Sequence, residues 1–179
     1  MKELGQTKKG ILDLLWRTES PVSLKEVSQN IGLKGRSTNM HVLGLAKMGL
    51  ARKTEAGYVL TDYGREALGF PKVDEAFAKK ILGKTPPEKA FRFYYGIHQP
   101  AGISSDSLVD FCEKIRAIDA RSMEFHTSRG DFELWASYLG DTELAKRLRL
   151  IRDANLTGES LRQRLYRAVK SRCDQLLKI

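Results

Sequence analysis

The chain is poor in the residues that make covalent cross-links or hold metals. Its 179 residues include two cysteines and three histidines. Cys112 and Cys173 are too few and too far apart for a zinc motif or a disulfide framework. Each falls on the apolar side of an expected helix, so both read as buried free thiols. No run approaches the ~20 apolar residues that a membrane-spanning helix needs. The opening MKELGQTKKG lacks the apolar segment of a secretory signal. These absences lead to the expectation of a cytoplasmic protein with no membrane partner. No serine sits in a nucleophile elbow and no glycine-rich phosphate loop occurs. Neither an enzyme nor a cofactor or metal is expected.

What the chain does have is positive charge, with a formal net charge of +9. The excess is uneven: residues 1–85 carry 15 Lys and Arg against 9 Asp and Glu, and residues 86–179 carry 16 against 13. Such a balance permits a polyanionic partner, although many soluble proteins are this basic for solubility alone.

The stretch Lys34–Leu50, KGRSTNMHVLGLAKMGL, organises the first half. At about 100° per residue, Thr38, Val42, Leu45, Met48 and Gly49 fall on one side and can pack inward, with His41 at the margin. Arg36, Met40, Leu43 and Lys47 fall opposite, flanked by Ser37, Asn39 and Gly44. Before it, residues 7–18 place Ile11, Leu14, Leu15 and Thr18 at helical spacing, and Ser20-Pro21 ends that helix. Ser23 and Glu26 have the spacing of a capping box, opening a second helix with Leu24, Val27 and Ile31 inward and Gly32 at its close. After Gly49, the runs 50–54 and 58–61 are compatible with strands joined by a turn at Glu55-Ala56-Gly57, where Gly57 can supply a positive φ. Thr61 is placed to cap a following short helix.

Helix, helix, third helix and hairpin, together with Ser37–Val42, Leu45, Gly49-Leu50, Tyr58–Thr61 and Gly64, resemble winged helix-turn-helix repressors of the ArsR and MarR kind. The resemblance covers about residues 7–69. It implies a third helix in the DNA major groove and a wing along the backbone. The chain departs from those families in carrying Met40 and Leu43 where polar residues are usual, and in lacking the cysteine pair of their metal-sensing members.

Residues 70–87 read as a connector. Val73, Phe77 and Ile81 form a narrow apolar stripe that must pack on the wing domain or on a second copy, and Pro86-Pro87 marks the boundary. Residues 91–95 can be a strand or the start of a helix, and 98–102 read as a loop. Further helices are expected over about 106–118, with Leu108, Phe111, Cys112, Ile115 and Ile118 inward, and in two pieces over 121–139 broken at Gly130-Asp131. Two more follow, one capped by Asp141 and one from about Gly158. Phe125-His126, Arg129–Phe132 and Trp135, after the aromatic run at 91–95, resemble a small uncharacterised helical domain of prokaryotic, including archaeal, proteins. That likeness implies a fold unit over 88–179 and no activity. The expected fold is mainly α with a small β-hairpin: a winged helix-turn-helix domain at 1–69, a helical connector at 70–87 and a helical domain at 88–179.

The expected function is DNA binding, as a transcriptional regulator on double-stranded DNA. The alternatives are an architectural, nucleoid-associated protein of low sequence specificity, or a winged-helix protein adaptor anchored by Met40 and Leu43. The DNA-facing set is Arg36, Ser37, Asn39, Met40, Leu43, Lys47, Arg52 and Lys53. Arg36 and Lys47 suit phosphate or guanine, Asn39 adenine, and Met40 and Leu43 thymine methyls. Lys8, Lys9, Arg52 and Lys53 suit phosphates. A homodimer is expected from the 73–81 stripe and from the habit of the resembled families. His126, with Glu124 and Asp131 nearby, has no second histidine at metal-ligand spacing; a buried histidine bonded to a carboxylate at the Gly130 turn is the favoured reading. The arginine-rich helices beyond Lys146 form a solvated face or a second nucleic-acid surface.

Overall fold

The structure, a computed structural model, describes residues 4–18 and 20–179. It divides into two compact units between Lys72 and Val73.

In the first unit α1 (Gln6–Thr18) buries Ile11, Leu12, Leu15 and Trp16. Trp16 lies 5.2 Å from the Phe70 ring, so the buried stripe is turned from the expected one toward Leu12 and Trp16. Helix α2 (Leu24–Ile31) starts in a complete capping box. Glu26 Oε2 accepts from the Ser23 amide at 2.8 Å, and Ser23 Oγ accepts from the Glu26 amide at 3.3 Å. Gly32, at φ 72°, ends it. Helix α3 (Gly35–Lys47) follows, anchored by Thr38, Val42 and Leu45. Strands β1 (Ala51–Thr54) and β2 (Gly57–Leu60) pair antiparallel, with Thr54 opposite Gly57. Helix α4 (Asp62–Ala67) closes the unit, capped by Thr61. The same hydroxyl donates to the Gly49 carbonyl at 2.6 Å, pinning the end of the hairpin to the end of α3.

One contact locks the hairpin to the link between α1 and α2. Val22 and Tyr58 exchange two backbone hydrogen bonds of 2.9 and 2.8 Å. This approach explains Gly57 better than the turn does. The turn residues are Glu55 and Ala56, and a Cβ on Gly57 (φ 146°) would sit 2.5 Å from the Val22 carbonyl oxygen.

The second unit gathers α5 (Glu75–Leu82), a single 3-10 turn at Pro87–Lys89, strands β3 (Phe91–Gly96) and β4 (Gln99–Ser105), and helices α6 (Leu108–Ala117), α7 (Ala120–Arg129), α8 (Asp131–Leu139), α9 (Thr142–Asp153) and α10 (Gly158–Leu176). Its core is aromatic at the centre. Phe91 lies 4.9 Å from Phe93, 5.4 Å from Phe111 and 5.2 Å from Phe132, ring centre to ring centre. Helix α5 packs here: Ala78 and Ile81 are buried in this core, and Val73 and Phe77 lie against it. The narrow stripe therefore packs on the core of its own unit. The described residues hold two hairpins, since β3 and β4 pair antiparallel where a loop was expected at 98–102. Strand β4, Gln-Pro-Ala-Gly-Ile-Ser-Ser, is exposed over most of its length, so it has no apolar alternation to announce it.

Burial also takes in charge. Arg172 grips Asp141 with Nε to Oδ2 at 2.6 Å and Nη2 to Oδ1 at 2.9 Å, while Nη1 reaches Glu143 at 3.1 Å and Gln175 at 2.7 Å. All three charged groups are buried. Asp141 Oδ1 also accepts from the Leu144 amide, capping α9. A fork-on-carboxylate pair with its remaining lone pairs satisfied is the form in which buried charge is tolerated.

Candidate nucleic-acid interface

Helix α3 presents the expected outward face. Thr38, Val42 and Leu45 are fully buried, and Thr38 Oγ1 donates to the Lys34 carbonyl at 3.2 Å, which holds the first turn. Arg36, Asn39, Met40, Leu43 and Lys47 are exposed and Ser37 is half-buried. Met40 is 65% exposed and Leu43 43%, values high enough that neither contributes to the core. Met48, expected inward, is 49% exposed. The helix ends at Lys47 and Gly49 takes φ 72°, so the 3.6-residue period no longer applies there.

Lys8 joins this face from α1. A Cβ on Gly44 would lie 3.6 Å from both Cε and Nζ of Lys8, and Nζ stands 3.8 Å from Met48 Sδ. A side chain at this mid-helix position would touch the lysine stem at ordinary contact distance, which places Lys8 alongside α3. Lys34, just before α3, is exposed and was missing from the expected set. Lys9 is half-buried on α1.

The hairpin cations separate. Directly opposed residues share a face of a two-stranded sheet. Lys53 opposes the buried Tyr58, whereas Arg52 opposes Val59. Arg52 and Lys53 are both exposed yet leave opposite faces, so both reach one phosphate row only if the hairpin offers its edge. Glu55 stands in its turn.

In the second unit, carboxylates and carbonyls occupy much of the arginine-rich surface. Arg172 is internal. Arg162 donates to the Ile115 carbonyl at 2.6 Å and pairs with Glu159 at 3.0 Å. Arg152 lies 3.1 Å from Glu133, and Lys170 pairs with Asp174. Arg149, Arg164 and Arg167 remain exposed.

His126 is held at both nitrogens. Its Nε2 accepts from the Tyr94 amide at 2.8 Å and its Nδ1 lies 2.8 Å from Asp131 Oδ2. An acceptor at Nε2 requires the proton on Nδ1, which then donates to Asp131. Burial, the larger influence, pushes the imidazole below its usual range against the opposing effect of the Asp131 hydrogen bond. The histidine thus joins β3 to the α7–α8 turn. Glu124 does not take part; its Oε1 accepts from the Gly158 amide at 2.8 Å and caps α10. Among the described residues no three His, Cys, Asp or Glu gather as a metal-binding group.

Cys112 and Cys173 are free and buried. Cys173 donates to the Leu108 carbonyl at 3.8 Å. Its hydrogen bond with Cys112, and then burial, push this thiol up and keep it protonated.

No helix among the described residues is long and apolar enough to cross a membrane. Compared with family models, with curated proteins and with solved structures, the chain matches none.

Proposed function

We propose that the chain is a DNA-binding protein, acting as a transcriptional regulator, in which residues 1–72 work as a winged helix-turn-helix. Helix α3 enters the major groove and the β1–β2 hairpin runs beside the backbone. One observation carries this reading: the outward face of α3 combines exposed Arg36, Asn39 and Lys47, with Lys8 laid alongside, on a helix whose opposite face is fully anchored. The order α1, α2, α3, hairpin and the Val22–Tyr58 bridge support it, because they brace the hairpin against the helices. Met40 and Leu43 supply apolar contact to thymine methyls rather than bidentate hydrogen bonds, so sequence selectivity is modest. A homodimer would place two such helices about one helical turn apart on the duplex. No catalytic step belongs to this reading.

Titrating the full chain against duplex DNA between about 50 and 200 mM salt tests it, since neutralising several phosphates makes affinity fall steeply with salt. Replacing Lys53 with alanine lowers the log–log salt slope by about one and weakens binding to all sequences alike. Undetectable affinity at the low-salt end overturns the proposal.

The exposure of Met40 and Leu43 favours a second reading, a protein adaptor. Arg36→Ala with Lys47→Ala abolishes DNA binding under the first reading and spares partner binding under the second. Met40→Ala with Leu43→Ala has the reverse pattern.

A further inference from the structure

The turn of the β3–β4 hairpin is built from residues that a turn does not ask for. Two-residue hairpin turns favour glycine, asparagine and aspartate. Here the turn is Ile97-His98. Ile97 is 69% exposed and His98 takes φ 59°, a conformation that glycine adopts without strain. Histidine is among the side chains that adopt this conformation more readily, so it is the exposed Ile97 that turn chemistry leaves unexplained.

Both residues line a recess of about 320 Å³ between that turn and α7, which Phe91, Tyr94, Phe125 and His126 also line. Its volume is at the lower end of the range for small-molecule pockets, about 300–1,000 Å³. The aromatic residues and Ile97 make most of it apolar. Arg92 and Arg129 line it as well, with the Asp131 carboxylate. Arg92 is exposed, and among the described residues its side chain makes no hydrogen bond or ion pair. Arg129 lies with its guanidinium 5.2 Å over the Phe125 ring and meets Asp131 through Nε at 3.2 Å, which leaves its terminal nitrogens for another acceptor. Asp131 is the carboxylate lining the recess, and it already accepts from His126 and Arg129. The His126 wall is fixed by its bonds to Tyr94 and Asp131, so the recess is formed before any ligand arrives.

The geometry points to a binding site in this recess for a small anion carrying a single-ring apolar body, an aromatic carboxylate or phosphate. The anion is taken by the planar forks of Arg92 and Arg129, which match carboxylate and phosphate oxygens. The ring lies against Ile97 and the aromatic wall, and its apolar area supplies the remaining affinity. His126 is a positioning residue here, since both its nitrogens are already engaged. Every residue that lines the site belongs to the second unit.

Calorimetric titration of the full chain with phenyl phosphate, benzoate, benzyl alcohol and inorganic phosphate tests the assignment. Phenyl phosphate and benzoate bind saturably at millimolar concentration, and the neutral alcohol and the ring-free phosphate bind more weakly by about tenfold or more, roughly 1.4 kcal/mol. Arg92→Gln, a change at an exposed side chain, weakens both aromatic anions by about tenfold, because one charge-assisted fork is lost. Ile97→Gly weakens them while leaving inorganic phosphate unchanged. Circular dichroism of each variant confirms that it is folded. The assignment is overturned by the absence of saturable binding of either aromatic anion, by affinity unaltered in Arg92→Gln, or by inorganic phosphate binding as tightly as phenyl phosphate.

Discussion

The two units place their polar chemistry on opposite sides of their cores. In the first, the buried cluster is aliphatic but for Tyr58, with Ile11, Leu12, Leu15, Val27, Val42 and Leu45 at its centre. Thr38 is the buried polar side chain found there among the described residues, and the cations stand outside on α3 and the hairpin. In the second, Arg172, Asp141, Glu143 and His126 are inside. Arg36, Lys47, Arg52 and Lys53 of the first unit stand exposed, whereas much of the charge in the second is committed to holding helices together. The lesson is that a count of arginines does not locate an interface; their partners do.

Each unit holds one of the two tryptophans, Trp16 and Trp135, so unfolding can be followed separately after replacing the other with phenylalanine. The largest effect belongs to the internal charge. Arg172→Met leaves Asp141 buried without the fork that grips it, takes one partner from Glu143, and costs about 3–5 kcal/mol. Denaturant titration read at Trp135 measures it; a loss below about 1 kcal/mol would place this network with weak surface pairs. Gly57→Ala comes next. Its Cβ must displace the Val22 backbone, and backbone strain of about 1–3 kcal/mol appears in the transition read at Trp16. Ser23→Ala removes half of the capping box and lowers the same transition by about 1 kcal/mol.

The smallest effect is pH-dependent and sharpens the contrast. Because His126 titrates lower in the fold than in the unfolded chain, the unfolded state binds the extra proton first as pH falls. The second unit therefore loses stability as pH drops below about 6.5, the ordinary imidazole value, until the folded form is protonated too. Protonated Nε2 also faces the Tyr94 amide donor to donor. Replacing His126 with glutamine flattens this slope in the Trp135 transition, and an unchanged slope assigns the effect to other groups.

Outward chemistry was readable from sequence and inward chemistry less so, for a physical reason. Helical periodicity assigns a face from neighbours three and four residues away, which placed Arg36, Met40, Leu43 and Lys47 outside and Val42 and Leu45 inside. It erred at Met48, beyond the last turn, and on α1, where Phe70 from far along the chain draws Trp16 inward. His126 with Asp131 was accessible because the two are close in sequence. Arg172 was not, because its carboxylates lie 31 and 29 positions away, and a buried arginine on an arginine-rich helix has the same local pattern as a solvated one. Strand β4 escaped because its pairing is dictated by β3 and not by its own residues.

The Val22–Tyr58 bridge has a bearing on how this chain can change its length. Surface links between helices ordinarily accept an inserted residue at small cost. The link between α1 and α2 is paired on its Val22 amide and carbonyl to the hairpin, and Gly57 leaves no slack against it. An added residue would shift the pairing and turn Val22, itself buried, toward solvent. The neighbourhood of Val22, outside every named helix and strand, is thus held as firmly in register as a strand would be.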